Sequence, residues 1–124
     1  GYWLGGGTEE SYDEEAHEFL SRAFAILNDN EDAFCSDDVE PLTPTLVPTV
    51  YANRFSGGGR TVWTLFNADF RTVRGDLLRV PHTPGARYVD AFTDRPIEAT
   101  VTDGMATIPL ELGARRVGCI VASH

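Results

Sequence analysis

GRTVWTLFNADF, residues 59–70, is the stretch whose reading decides the fold class. Thr61, Trp63, Leu65 and Asn67 alternate with Val62, Thr64 and Phe66, so apolar side chains point to both faces. The run is rich in β-branched and aromatic residues, and a glycine triplet, Gly57-Gly58-Gly59, precedes it. That pattern predicts a central strand with both faces at least partly covered. With both faces carrying large side chains, a neighbouring domain or a ligand must cover the outer one.

Six further strand-like runs surround it, each bounded by turn residues: 50–55, 76–80, 87–92, 97–101, 105–110 and 117–123. Thr102-Asp103-Gly104 lies between two of them, and its Asp-Gly pair is a strong hairpin signal. Short strands with such regular punctuation predict an antiparallel sandwich or barrel. Upstream, Ala16, Phe19, Leu20, Ala23, Phe24, Ile26 and Leu27 recur at helical spacing over residues 11–28. Thr8 or Ser11 can cap that helix, and Ser11 with Glu14 has capping-box spacing. Asn28-Asp29-Asn30 closes it. Residues 31–46, held extended by Pro41 and Pro44, read as an acidic connection. The fold class expected is therefore mainly β: an antiparallel β-sandwich of seven to eight strands preceded by one amphipathic α-helix. The division expected is 1–46, a helical lead-in and acidic linker, and 47–124, the sandwich.

Charge narrows the partners. Residues 1–40 hold twelve acidic groups and one basic group, Arg22, while the rest of the chain is close to neutral. A formal charge of −9 argues against nucleic acid, whose phosphates need a basic footprint, and against anionic membrane surfaces. No apolar run approaches the roughly 18 residues that suggest a membrane span. Every basic side chain is arginine. The first residue is Gly1 rather than Met, so the chain reads as an excised piece of something longer. The run Tyr2-Trp3-Leu4 before three glycines fits the end of an element whose partner lies outside the sequence.

No catalytic constellation is legible. Asp13, Glu14, His17 and Glu18 share adjoining helical turns, and Asp13 with His17 has the i,i+4 spacing of a metal pair. Acids near a helix N-terminus are favoured there by the dipole, which accounts for them without a site. Asp29, Glu31, Asp32, Asp37 and Asp38 supply the oxygen ligands calcium takes, without the glycine that a calcium-hand loop places at its sixth position. His82 and His124 stand near no nucleophile motif. Cys35 and Cys119 permit one disulfide, with two free thiols the better expectation because Cys119 sits in an apolar run. Neither a metal nor another cofactor is expected. Among aromatics on strands (Tyr51, Trp63, Phe66, Tyr88 and Phe92), the three singled out as a carbohydrate platform are Tyr51, Trp63 and Tyr88. The competing reading is that such rings fill the core.

The order of elements resembles a known domain. TVWTLFN, then LLRV, a Pro/Gly turn, YVDAFTDRPIE, the hairpin DGMATIPLEL and the closing RRVGCIVAS follow one another. This succession, over roughly residues 47–123, resembles the small all-β domain that follows the catalytic β/α barrel in many glycoside hydrolases. In such domains a strand ends in Asn, matched here by Asn67, and a later strand leads to Asp and a turn, matched by Asp90 and Thr93-Asp94. The resemblance implies a non-catalytic C-terminal accessory domain that stabilises the catalytic one. It also implies that helix 11–28 is the last outer helix of a barrel whose catalytic carboxylates lie upstream. The expected partner is that upstream catalytic domain, or a second copy of the chain meeting the 11–28 helix face. The alternatives are a carbohydrate-binding β-sandwich module and a protein–protein interaction domain.

Overall fold

A computed structural model describes residues 9–124. Two helices, α1 (Glu9–Asp29) and α2 (Glu31–Phe34), precede nine strands: β1 (Asp38–Thr43), β2 (Val50–Gly57), β3 (Arg60–Asn67), β4 (Val73–Pro81), β5 (Arg87–Asp90), β6 (Arg95–Ile97), β7 (Thr100–Thr102), β8 (Met105–Leu112) and β9 (Val117–Ser123). The strands form a six-stranded sheet, β1-β2-β3-β9-β5-β6, and a three-stranded sheet, β4-β8-β7. Every pairing described is antiparallel.

The expected central strand is central. β3 pairs with β2 on one side and β9 on the other. Its two faces are covered by different layers. Trp63 and Leu65 point between the sheets, where they meet Ile120, Leu78, Ala106 and Ile108. Val62 points the other way, into a second cluster with Cys119, Val121, Ile26 of α1 and Ala33 of α2. The chain's own helices, rather than the neighbouring domain or ligand expected, cover the outer face at Val62. Each fully buried leucine or isoleucine here contributes about 1.5–3 kcal/mol.

Turn chemistry closes the hairpins. Gly58 and Gly59 link β2 to β3 with φ of 62° and 76°, and Asp103-Gly104 link β7 to β8 with 55° and 75°. Two-residue loops with both angles positive match the right-handed strand twist. Gly57 and Gly58 have a further role, since α2 lies directly on them: a side chain at Gly57 would strike the Asp32 carbonyl.

Leu77 and Leu78 are both fully buried although adjacent. The register of β4 against β8 shifts between Asp76 and Leu78, a bulge that turns two successive side chains inward. The Leu77 carbonyl accepts from the Leu46 amide at 2.9 Å, so the connection between β1 and β2 satisfies a group that the bulge frees.

Several local expectations need correction. The stretch 31–46 is not all loop: it contains α2 and an edge strand, β1, where Pro41 is tolerated on an edge. Run 97–101 is not one strand. It divides into the end of β6 in the large sheet and β7 in the small one, with Glu98 and Ala99 crossing between them. Ser11 falls inside α1, so it is not the helix cap; Thr8, Tyr2, Trp3 and Leu4 lie outside the described residues. Asn30 does close α1. It is buried, with its amide nitrogen and its side-chain Nδ2 both donating to the Ile26 carbonyl, at 3.1 Å and 2.9 Å.

Candidate functional site

α1 carries the longest row of unmet apolar surface. Ile26 is buried against the sheet, but Leu20, Phe24 and Leu27 are exposed, with Phe24 62% open. Phe19 stacks on Phe92 at 5.5 Å and remains partly open. Side chains advance by about 100° per residue along a helix. Arg22 and Asp29, on one flank beside Ile26, line a hollow of about 360 Å³ with Val89, Ala91 and Asp94 near β5. Leu20 and Leu27 therefore occupy the other flank, where both are exposed.

A second apolar feature is a cross-strand row on the large sheet. Tyr51, Phe66 and Val117 are register partners across β2, β3 and β9, on the face away from the small sheet. Tyr51 is 51% exposed and Val117 41%. Past the row, Phe70 stands 83% exposed on the β3–β4 loop. The Arg115 guanidinium lies 5.4 Å from the ring centres of both Phe66 and Phe70. Its Nη1 donates to the Ala68 carbonyl at 2.9 Å.

Asn67 holds this end rigid. Fully buried, its Nδ2 faces the carbonyls of Arg71, Leu112 and Gly113 at 2.9, 3.2 and 3.1 Å. Its Oδ1 accepts from the Asp69 amide at 3.0 Å. One side chain thus ties the β3–β4 loop to the end of β8.

The three platform aromatics are not brought together. Trp63 and Tyr88 lie between the sheets, 3% and 5% exposed, with ring centres 6.4 Å apart. Tyr51 is on the opposite face of the large sheet. Neither interior ring offers a face to a sugar in this arrangement. The Tyr88 hydroxyl hydrogen-bonds Nδ1 of His82 at 2.9 Å, and burial pushes its pKa up. Trp63 Nε1 is buried with no hydrogen-bond partner among the described residues.

The acidic candidates stay dispersed. Glu14, His17 and Glu18 are exposed, while the side chain of Asp13 lies outside the described residues. Asp38 is paired with Arg54 at 3.0 Å, and that bond raises the arginine's pKa. Asp32 rests on Gly58. Among the described residues, no three His, Cys, Asp or Glu side chains gather as metal ligands would. Both cysteines are free, Cys35 exposed and Cys119 buried. Burial, with the nearby Asp90 charge, pushes the Cys119 thiol up to about 12. No helix among the described residues is long and apolar enough to cross a membrane.

Sequence reasoning named the helix stripe and Tyr51 but missed Phe70, Arg115 and Val117 as a surface. Arg115 meets Phe66 and Phe70 only through the fold, so no local spacing signals it.

No family model matches the sequence, and no curated protein does. Solved structures do. The chain superposes on a candidate α-N-acetylgalactosaminidase from Bacillus halodurans C-125 with a TM-score of 0.51 and 12% identity, covering 70% of this chain and 20% of that one. A family 27 β-L-arabinopyranosidase from Geobacillus stearothermophilus gives 0.47 at 12% identity, over 69% and 19%. A family 30 endoxylanase from Clostridium papyrosolvens C71 gives 0.43 at 18%, over 66% and 22%. The first likeness shows a shared fold; the other two are too loose to carry an argument. The chain spans about a fifth of the length of each of these glycoside hydrolases.

Proposed function

We propose that this chain is the non-catalytic accessory β-sandwich domain of a glycoside hydrolase-like protein, stabilising a catalytic domain against which α1 packs. The observation that carries this reading is the apolar row of α1, Leu20, Phe24 and Leu27, left open while Ile26 alone among its large aliphatic residues is buried. A helix with apolar residues on two sides has two layers to serve. The sheet is one; an outer helix of a β/α barrel has the barrel's strands as the other. The fold shared with part of a longer glycoside hydrolase-like chain supports the same reading. On this reading α1 is the tail of the barrel and 47–124 the accessory sandwich, to whose large sheet β1 also belongs.

The carbohydrate-binding alternative has one exposed ring in its favour, Tyr51. Titration calorimetry of this chain with cello-, xylo- and galacto-oligosaccharides separates the two. The accessory reading expects no heat of binding at millimolar sugar. Saturable binding that Tyr51→Ala abolishes would replace it with the binding-module reading.

A further inference from the structure

We infer that the hollow between the free edges of the two sheets, bordered by the hydrogen-bonded pair His82 and Tyr88, binds a small neutral alcohol with an apolar body. This goes beyond the accessory-domain reading and stands independently of it.

The hollow is an unfilled part of the core. β6 ends the large sheet and β7 ends the small one, and each is only three residues long. Ile97 is the register partner of Tyr88, and Val101 that of Ala106, so both point between the sheets with their partners. Tyr88 and Ala106 are buried there. Val101 is nevertheless 48% exposed. An inward valine left half open marks a gap in the packing. Ala86 and Ala99 border the same gap, and their single methyl groups leave space that larger side chains would fill. The hollow measures about 270 Å³. An apolar cavity of about 150 Å³ is enough to hold benzene, so an aromatic ring with a short substituent fits here.

His82 and Tyr88 decide what that substituent is. His82 Nδ1 and the Tyr88 hydroxyl lie 2.9 Å apart and satisfy each other once. With the hydroxyl donating, Nε2–H is a free donor and the hydroxyl oxygen keeps an acceptor site. In the other tautomer Nε2 accepts and the hydroxyl proton is free. Either way the pair offers one donor and one acceptor, and an alcohol hydroxyl answers both. Burial pushes the Tyr88 pKa up, so its hydroxyl keeps its proton at neutral pH. The His82 amide donates to the Gly104 carbonyl at 2.9 Å, which fixes the backbone at the imidazole before a ligand arrives.

Other ligand classes fit less well. A carboxylate answers only the donor, and a chain of formal charge −9 repels it. Arg87 borders the hollow but stands on the opposite face of β5 from Tyr88, since neighbours alternate along a strand. A sugar carries hydroxyls around its whole ring, and the alanine, isoleucine and valine walls would leave most of them without partners.

An NMR titration of this chain with benzyl alcohol, toluene and xylose is the test. The inference expects saturable shifts of the Ala86, Ile97, Ala99 and Val101 signals at millimolar benzyl alcohol, with Phe24 and Tyr51 unmoved. Toluene has the ring without the hydroxyl and should bind about five-fold or more weakly, the worth of one hydrogen bond. Tyr88→Phe should erase that difference, and Ala99→Leu, which fills the hollow, should abolish binding. Shifts that grow linearly with concentration, or that appear equally at Phe24 and Tyr51, would overturn the inference as non-specific apolar contact. Toluene binding as tightly as benzyl alcohol would overturn the role given to His82 and Tyr88. Xylose binding more tightly than benzyl alcohol would overturn the class of ligand. The comparison of the three ligands uses the unaltered chain, so it decides the matter whether or not the variants fold. None of these outcomes depends on a catalytic domain upstream.

Discussion

The side-chain amide of Asn67, at the end of β3 in the large sheet, donates to the carbonyl of Leu112, at the end of β8 in the small sheet, across 3.2 Å. This bond joins the two layers directly at the end where Phe70 and Arg115 stand. Asn67 is fully buried, and the chemistry of its amide is what makes that tolerable: both polar atoms have partners.

Asn67→Ala should therefore be among the most damaging single changes. It takes a donor from the Leu112 carbonyl and the acceptor from the Asp69 amide, at about 1–3 kcal/mol for each group left buried and unpaired, while the Gly113 carbonyl keeps its bond from the Arg116 amide. A Tm lower by about 10 °C or more in differential scanning calorimetry is expected. Asn67→Asp should be no milder, because it replaces two donors with an acceptor. A Tm within a few degrees of the parent would show that the bonds are dispensable.

Gly57 and Gly59 should separate two reasons for glycine. Gly57 is needed because α2 lies on it, and an added methyl would meet the Asp32 carbonyl. Gly59 has open space around it and a φ of 76°. Gly59→Ala should cost about 1 kcal/mol and Gly59→Asn less, since asparagine visits left-handed angles readily. Gly57→Ala should cost more, about 1–3 kcal/mol from overpacking, and should speed hydrogen exchange in α2. Equal losses in urea denaturation at the two sites would contradict the close approach of α2.

Much of this was legible from local pattern. The alternation of Thr61 to Asn67 marks a strand covered on both faces, and Asp103-Gly104 marks a hairpin. The helix stripe and the closing role of Asn30 follow from spacing and side-chain chemistry. What escaped depends on partners distant in sequence. β1 is a strand because β2 offers it an edge, and Pro41 hides that because prolines argue against strands in general. Run 97–101 looks continuous because periodicity is blind to which sheet a residue joins. Tyr51 and Trp63 looked like members of one platform, yet Tyr51 pairs with Phe66 and Trp63 with Ile120, on opposite faces. A one-residue difference in strand parity decides which ring meets water.

The thiols should differ sharply in reactivity. With Cys35 exposed and Cys119 buried, the native chain should take up one equivalent of a thiol reagent at pH 8 and two after denaturation. Two equivalents in the native state would contradict the packing of α1 and α2 over β9.

Cys119 also makes stability fall in alkali. Its folded pKa of about 12 lies above the ordinary thiol value, so only well below pH 9 do both folded and unfolded chains keep the proton. Between about pH 9 and 12 the unfolded state ionises first, and stability should drop by up to about 1.4 kcal/mol per pH unit. Tyr88, raised by burial, adds a loss of the same sign at higher pH. Cys119→Ala should flatten the slope between pH 9 and 10 in denaturation curves. An unchanged slope would show that the thiol is not protected from ionisation.

The coding sequence upstream of Gly1 bears on the accessory-domain reading more directly than any property of the chain itself. That reading expects about 300 or more preceding residues in the same frame, with strands and helices alternating as in a β/α barrel and carboxylates at strand C-terminal ends. A start codon close to Gly1 would contradict it, and would leave the open face of α1 to a partner from another polypeptide.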